Sequence, residues 1–309
     1  MGSQVRILSR ASTVSAVEYE VRHKVGLAQL YAVPRCHQPK LVSDSFMIGV
    51  DLGISSFKAV EIEKEKIKRK KRVFLNEKES VEKQLKNFFS DSFFFEEKKI
   101  AVTGAYSSKL KELKGKKIFR INEIQAIAKG SRFLSKEKNF LAASVGTGCC
   151  FVSVKKEKAS HIGGTALGGK TILGLSRLLT GKTDFKEIEK KALKGDYKKI
   201  DLMLSDVYPK GIGLLKGNVS VSNFGKIKSK KEEDLLAGVF NSVFQGISTN
   251  ALFAAKALKH EKIVFSGSLA ETKLFRKTFK ECRNAFHLAE AVFPENGAYA
   301  GAVGAVVSV

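Results

Sequence analysis

Two turns built of small and hydroxyl residues are the places in this chain where chemistry is readiest. The first is Asp51-Leu52-Gly53-Ile54-Ser55-Ser56-Phe57-Lys58, and the second is Val145-Gly146-Thr147-Gly148-Cys149-Cys150. Glycine and hydroxyl residues at a tight turn let several backbone N–H groups point at one spot, and small side chains let a phosphate approach the backbone. Asp51 closes an apolar run, where its carboxylate could hold a magnesium-bound water. Lys58 follows in the same segment and could reach a phosphoryl group in transfer. Two such turns facing each other would clamp the phosphates of a nucleotide from both sides. Gly168-Gly169, ahead of a helical stretch, adds a third backbone site friendly to anions. The GxxxxGK[ST] spacing of a P-loop is absent. Singly, each segment is only a turn, and Lys58 only a solvated strand residue. It is their order along the chain that carries information.

The elements around these turns read as follows. Phe46 to Val50 is a strand that runs into the first turn, and Ala59-Val60-Glu61-Ile62 is the strand that leaves it. Apolar residues at 81, 85, 88 and 89 predict a helix over 81–95. Lys99 to Thr103 is a short strand ending at Gly104, and Asn122 caps a helix through Phe133. Phe140 to Ser144 and Phe151 to Val154 repeat the strand-turn-strand pattern about the second turn. Helices follow over 172–179, over 184–193 with Thr183 as cap, and over 234–258. Lys262 to Phe265 is a strand ending in Ser266-Gly267-Ser268, and the small apolar segment 297–309 is a closely packed helix. Residues 1–46 show no sustained alternation and no capped amphipathic stretch. They read as a leader, flexible or not native, with Met47 a plausible true start.

Composition narrows the function classes. Hydrophobic residues make up 43% of 309, enough for a sizeable core. No stretch approaches the roughly 20 apolar residues of a membrane span. Four Cys without a CxxC pair give neither a disulfide scaffold nor a cysteine zinc site, so a reducing cytoplasm is the expected compartment. The formal net charge of +24 suggests a polyanion, but 44 Lys against 11 Arg argues against nucleic acid, because phosphate and base edges favour the Arg fork. The one dense basic run, Lys68 to Arg72, is expected to be a solvated hairpin turn. Steering of a small anionic substrate is the remaining use of the charge.

From residue 47 onward the chain resembles the actin–hexokinase–heat-shock protein superfamily, and within it the type II pantothenate kinases. The pieces that carry the resemblance are Val145 to Gly148; Gly163 to Gly169 with Leu173 to Gly181; Lys194-Gly195-Asp196 with Ile200-Asp201-Leu202; Asn223-Phe224-Gly225; and Glu295-Asn296-Gly297-Ala298-Tyr299-Ala300-Gly301-Ala302-Val303-Gly304-Ala305. The resemblance implies an α/β protein of two actin-like (ribonuclease H-like) lobes, over 47–142 and 143–309, with ATP in the cleft between them. It implies pantothenate and ATP as substrates, Mg2+ as cofactor and a homodimer formed through the long helix. Membrane and nucleic acid are not among the expected partners. It makes Asp51 through Lys58 the first phosphate turn, with Asp51 holding the metal through water. Thr147 belongs to the second turn and the substrate edge. Gly169, Lys170, Thr171, Ile172 and Leu173 would sit by the nucleotide, with Phe185 near the adenine and Ser268 beside the adenosine. Glu123 becomes the general base; by itself it would be an ordinary helix-start carboxylate.

The chain also departs from the pattern. The usual Asp-x-Gly-Gly-Thr of the first turn has Ile54 and Ser55 in its last two positions. His161 stands where the resemblance implies an Arg clamp on the pantothenate carboxylate, and a neutral His offers one hydrogen bond where Arg offers two. Lys170, where a third Gly is usual, is a second source of positive charge. Two rivals follow: a catalytically impaired relative that binds nucleotide or a coenzyme A-type ligand, and a kinase for another small hydroxy compound.

Overall fold

The structure is a computed structural model that describes residues 47–95, 99–212, 217, 219–286 and 288–309. The leader expected at 1–46 lies outside the described residues. Strands β1 (Met47–Leu52), β2 (Ser56–Glu63) and β3 (Lys66–Phe74) form an antiparallel meander, and β4 (Lys99–Thr103) and β5 (Lys117–Arg120) continue it in parallel, in the order β3-β2-β1-β4-β5. The second sheet repeats the plan. Strands β6 (Asn139–Val145), β7 (Cys149–Lys155) and β8 (Lys158–Thr165) make the meander. After the small pair β9 (Leu202–Met203) and β10 (Ser220–Ser222), strands β11 (Lys262–Ser266) and β12 (Glu290–Val292) extend it in parallel, in the order β12-β11-β6-β7-β8. The helices are α1 (Val81–Phe89), α2 (Glu123–Ser135), α3 (Gly169–Thr180), α4 (Phe185–Ala192), the short α5 (Leu204–Val207), α6 (Glu232–Ala257), α7 (Lys273–Phe286) and α8 (Ala300–Val306). This is the two-lobed α/β fold the sequence implies.

Alternation along the strands decides what each face meets. Ile48, Val50 and Leu52 of β1 join Phe57, Ala59, Ile100 and Val102 against Leu85, Phe88 and Phe89 of α1. The opposite face of this sheet carries Val60 and Ile62, and α8 covers it through Ala302, Val303 and Val306. Position 49 lies on that face opposite Val60, and it is glycine there because a Cβ would overlap the carbonyl of Ala302. In the second sheet Leu141, Ala143, Val145, Ile263 and Phe265 face α6, and Phe140, Ala142, Val152, Val154 and Val264 face α2. Phe244, Phe265, Phe275 and Phe279 interlock beneath the second sheet with ring centroids 4.8–5.1 Å apart. Each such buried ring contributes about 1.5–3 kcal/mol. Helices α2 and α8 therefore lie between the two sheets, one on each, and cross each other.

Three local expectations change. The basic run is strand, not turn: Lys68 to Arg72 lie in β3, and the reversal falls at Lys64-Glu65, both at positive φ. Its charges are partnered within the fold. Arg69 pairs with Glu61 at 2.5 Å, Lys71 with Asp91, and Arg72 with Glu271 at 3.3 Å, while Lys70 and Arg72 lie over the ring of Tyr299. An alternating edge strand satisfies five adjacent cations on two faces, which a turn cannot. Helix α1 stops at Phe89 rather than 95, because Ser90 caps its end and Asp91 starts a separate 3-10 turn by accepting from the N–H of Phe93 at 2.9 Å. The cap of α4 is Asp184, not Thr183; its Oδ1 accepts from the N–H of Glu187 at 2.8 Å.

Candidate functional site

The carboxyl ends of β1, β4, β6 and β11 meet at one cavity of about 40 Å³, with Asp51, Lys58, Glu123, Thr103, Ser144 and Ser266 in its wall. Strand register explains the first sheet's share. Thr103 pairs with Asp51, Asp51 with Lys58, and Lys58 with Arg72. Directly opposed residues point to one face, so four strands present a row of hydroxyl, carboxylate and two cations toward α8. Lys58 Nζ stands 4.0 Å from Asp51 Oδ2. Burial pushes the Asp51 carboxyl above its ordinary value, and the attraction of Lys58 offsets this only in part. Burial likewise depresses the Lys58 amine, against the pull of Asp51. Gly301, at the start of α8, is closed to a side chain by Asp51: an added Cβ would stand 2.8 Å from Oδ2.

The two small-residue turns face each other. Ser55 Oγ and Thr147 Oγ1 are 2.8 Å apart, one hydroxyl from each turn, separated by 92 positions in sequence. The second turn is braced from below. The N–H of Gly169 donates to the carbonyl of Gly146 at 2.9 Å, and that of Lys170 to the carbonyl of Thr147 at 3.4 Å. Gly168 leaves no room for a side chain against Thr147, nor does Gly267 against Val145. The first N–H groups of α3, read from sequence as an open anion site, thus hold the second turn in shape. Thr171 Oγ1 accepts from the N–H of Gly168 at 3.2 Å and donates to the carbonyl of Ala166 at 2.8 Å, which fixes the entry to the helix.

Glu123 is the first residue of α2. Asn122 caps that helix as expected, its Oδ1 accepting from the N–H groups of Ile124 at 3.0 Å and Gln125 at 3.3 Å. Partial burial is the main cause that raises the Glu123 carboxyl above its ordinary value, and the negative charge of Asp51 adds to it. A carboxylate held at the edge of a cavity with a raised proton affinity is suited to take a proton. Cys150 lies close enough to feel Glu123: its thiol is pushed up to about 11, by burial first and then by that carboxylate. Cys149 is buried in the second core instead, since neighbours on a strand point to opposite faces.

The other sequence-predicted residues are scattered around this centre. His161 is exposed on β8 and pairs with Val152, which packs against α2, so it stands on the α2 side of the second sheet. The Lys170 amine is paired with Glu77, in the connection after β3. Ser268 opens the 3-10 turn behind Gly267. Leu52, Phe57 and Ile172 are core side chains, and Leu173 packs against the second core. Gly53 and Ile54 form the tip of the first turn, with Ile54 half-exposed, and Ser56 is buried. Phe185 leans on Phe240 of α6, ring centroids 5.8 Å apart, and lines no part of the cavity. Sequence reasoning missed Thr103, Ser266 and Arg72. A signal for two of them was present: Lys-Ile-Ala-Val-Thr-Gly at 99–104 recurs as Lys-Ile-Val-Phe-Ser-Gly at 262–267.

Among the described residues no group of three His, Cys, Asp or Glu could hold a metal ion. The polar groups at the cavity are the carboxylates of Asp51 and Glu123, the Lys58 amine and the hydroxyls of Thr103, Ser144 and Ser266. That set suits a magnesium ion, which keeps several waters and is bound by one or two carboxylates together with substrate phosphates.

A family model described as Fumble matches residues 139–308. A type II pantothenate kinase of Bacillus cereus is 27% identical over 271 residues, which is 84% of this chain and 97% of that protein. One from Oceanobacillus iheyensis is 29% identical over 217 residues, 67% of this chain and 80% of its own length. Among solved structures, the activator of the 2-hydroxyisocaproyl-CoA dehydratase from Clostridium difficile, with bound ADPNP, has a TM-score of 0.58 at 16% identity, over 85% of this chain and 93% of that one. A ROK family glucokinase from Streptomyces griseus, in complex with glucose and AMPPNP, gives 0.53 at 14% identity, over 85% and 98%. At such identities these two likenesses speak for the fold.

Proposed function

Because the chain belongs to the Fumble family, we propose that it is a type II pantothenate kinase, a phosphotransferase that moves the γ-phosphoryl group of ATP to the primary hydroxyl of pantothenate. The observation that carries this reading is the convergence of Asp51, Lys58 and Glu123 on one cavity beside the two facing turns. Glu123 takes the hydroxyl proton as the substrate oxygen bonds to phosphorus and the bond from phosphorus to the β–γ bridging oxygen breaks. ADP leaves, and the product is 4′-phosphopantothenate, on the route to coenzyme A. Lys58 offers positive charge to the group in transfer, and the N–H groups of the two turns hold the phosphates. Asp51 would hold Mg2+ through water, and the ion, bound with the nucleotide, would neutralise phosphate charge. Phosphoryl transfer asks chiefly for positioning and charge stabilisation, so these few groups suffice. An assay of the purified protein with ATP, magnesium and pantothenate tests this, and absence of phosphopantothenate would sink it.

His161 favours keeping a second reading, a kinase for another small hydroxy compound, in view. It sits on the α2 side of β8 in place of a permanently charged Arg, and the Lys170 amine is engaged by Glu77. A His161→Arg variant is expected to lower the KM for pantothenate several-fold with kcat little changed, by restoring a bidentate, charged partner for the carboxylate. A steady-state KM that stays put would detach this position from carboxylate binding.

The reading extends to assembly and compartment. A homodimer would use the outer surface of α6, where Phe253 is half-exposed although most of that helix is covered by its own lobe. The cytoplasm is the proposed compartment, in keeping with the free thiols of Cys149, Cys150 and Cys282. No helix among the described residues is long and apolar enough to cross a membrane.

A further inference from the structure

Thr103 and Ser266 occupy equivalent positions in the two lobes. Each is the last residue of a parallel strand, β4 in one sheet and β11 in the other, and each is followed by a glycine at positive φ. Thr103 pairs with Asp51, and Ser266 with Ser144, at the end of the neighbouring strand. They are 0% and 1% exposed, and neither hydroxyl has a hydrogen-bond partner among the described residues. Both line the same cavity as Asp51 and Glu123. Other unpartnered buried hydroxyls, of Ser131, Ser176 and Ser248, lie within helices and away from this cavity. A buried hydroxyl without a partner costs stability, and an apolar residue of the same shape would remove that cost. Two such costs at matching ends of two lobes, aimed into one polar cavity, call for a ligand between them. The cavity has room for a few waters, and a magnesium ion keeps waters that are strong hydrogen-bond donors.

We propose that Thr103 and Ser266 are a pair of positioning hydroxyls, one from each lobe, that accept hydrogen bonds from the waters of the nucleotide-borne divalent cation held through water by Asp51. The inference rests on the reading of the cleft as a magnesium-nucleotide site. It assigns the cation's hydration shell to both lobes at once, so metal-bound nucleotide favours the closed arrangement in which Ser55 meets Thr147. Neither residue touches the reacting atoms.

The test uses the full chain as wild type, Thr103→Val, Thr103→Ser and Ser266→Ala. Affinity for adenylyl imidodiphosphate is measured by calorimetry with magnesium and with a chelator, beside the melting temperature of the unliganded protein. Thr103→Val and Ser266→Ala should each weaken magnesium-nucleotide binding about tenfold, the scale of one hydrogen bond to a charged partner. Binding without metal should be unchanged, the unliganded melting temperature equal or higher, and Thr103→Ser close to wild type. Equal losses with and without metal, no loss at all, or a melting temperature several degrees lower in the unliganded variants would overturn the proposal. Wild type that binds no nucleotide under either condition would instead overturn the reading of the cleft on which it stands.

Discussion

Glu123→Gln is expected to lower kcat by about 10³-fold, within the usual range for loss of a positioned general base. Gln keeps the shape and can still accept a hydrogen bond, but it cannot take the proton from the attacking hydroxyl. Folding should be little affected, because the cap at the start of α2 is supplied by Asn122 and not by Glu123. KM for ATP should change little, because in the proposed reaction Glu123 meets the acceptor hydroxyl and not the nucleotide. The pH profile carries an independent check. Burial, and behind it the charge of Asp51, raises the Glu123 carboxyl above its ordinary value. The base must be ionised to act, so the acidic limb of kcat/KM should lie above the ordinary glutamate range, with activity falling as pH drops through it. That limb should vanish from the residual rate of the Gln variant. Equal turnover by wild type and variant would remove Glu123 from the role of base.

Gly304→Ala is expected to cost roughly 3 kcal/mol, at the upper end of what overpacking removes. The reason is the crossing of α2 and α8 between the sheets. A Cβ on Gly304 would overlap the carbonyl of Ala126, and one on Gly130 would overlap the carbonyl of Ala300, so each helix lays its backbone directly on the other. Backbone cannot swing aside as a side chain can, and the modest helix propensity gained by Ala does not compensate. The melting temperature should fall by about 6–12 °C. Activity should fall further than stability alone explains, because α2 begins at Glu123 and α8 begins beside Asp51. Gly174→Ala serves as the control. That glycine is inside α3 with open space around its α-carbon, so the same substitution should stabilise by about 0.5–1 kcal/mol. A Gly304→Ala protein that melts within a degree of wild type would mean the crossing has slack.

The strands and turns around the phosphate-type segments were legible because period-two apolar runs bounded by Gly, Ser and Thr have few other solutions. The cap at Asn122 was legible because its chemistry is local. The basic run was misread because Lys and Arg in succession look solvated. What makes them a strand is the counter-charge of Glu61 across the hairpin and of Asp91 and Glu271, together with the rings of Phe88, Phe93 and Tyr299, and all but Glu61 are distant in sequence. The early ending of α1 at Phe89 turned on two short polar residues that cap as readily as they continue a helix.

The amino-acid sequence by itself determined the elements, the doubled strand-turn-strand plan and the identity of Asp51, Lys58, Glu123 and Thr147 as the residues to watch, because local geometry and motif order depend on neighbours along the chain. Only the tertiary structure decided which of them share a space. Strand register put Thr103, Asp51, Lys58 and Arg72 in one row, the crossing of α2 over α8 brought Glu123 within reach of the charge of Asp51, and the pairing of the Lys170 amine with Glu77 gave that cation a partner in the first lobe. Apart from the Asp51–Lys58 pair across the first turn, these are contacts between residues far apart in the chain. Their distances are set by the packing of two sheets around two helices, a quantity that no local pattern contains.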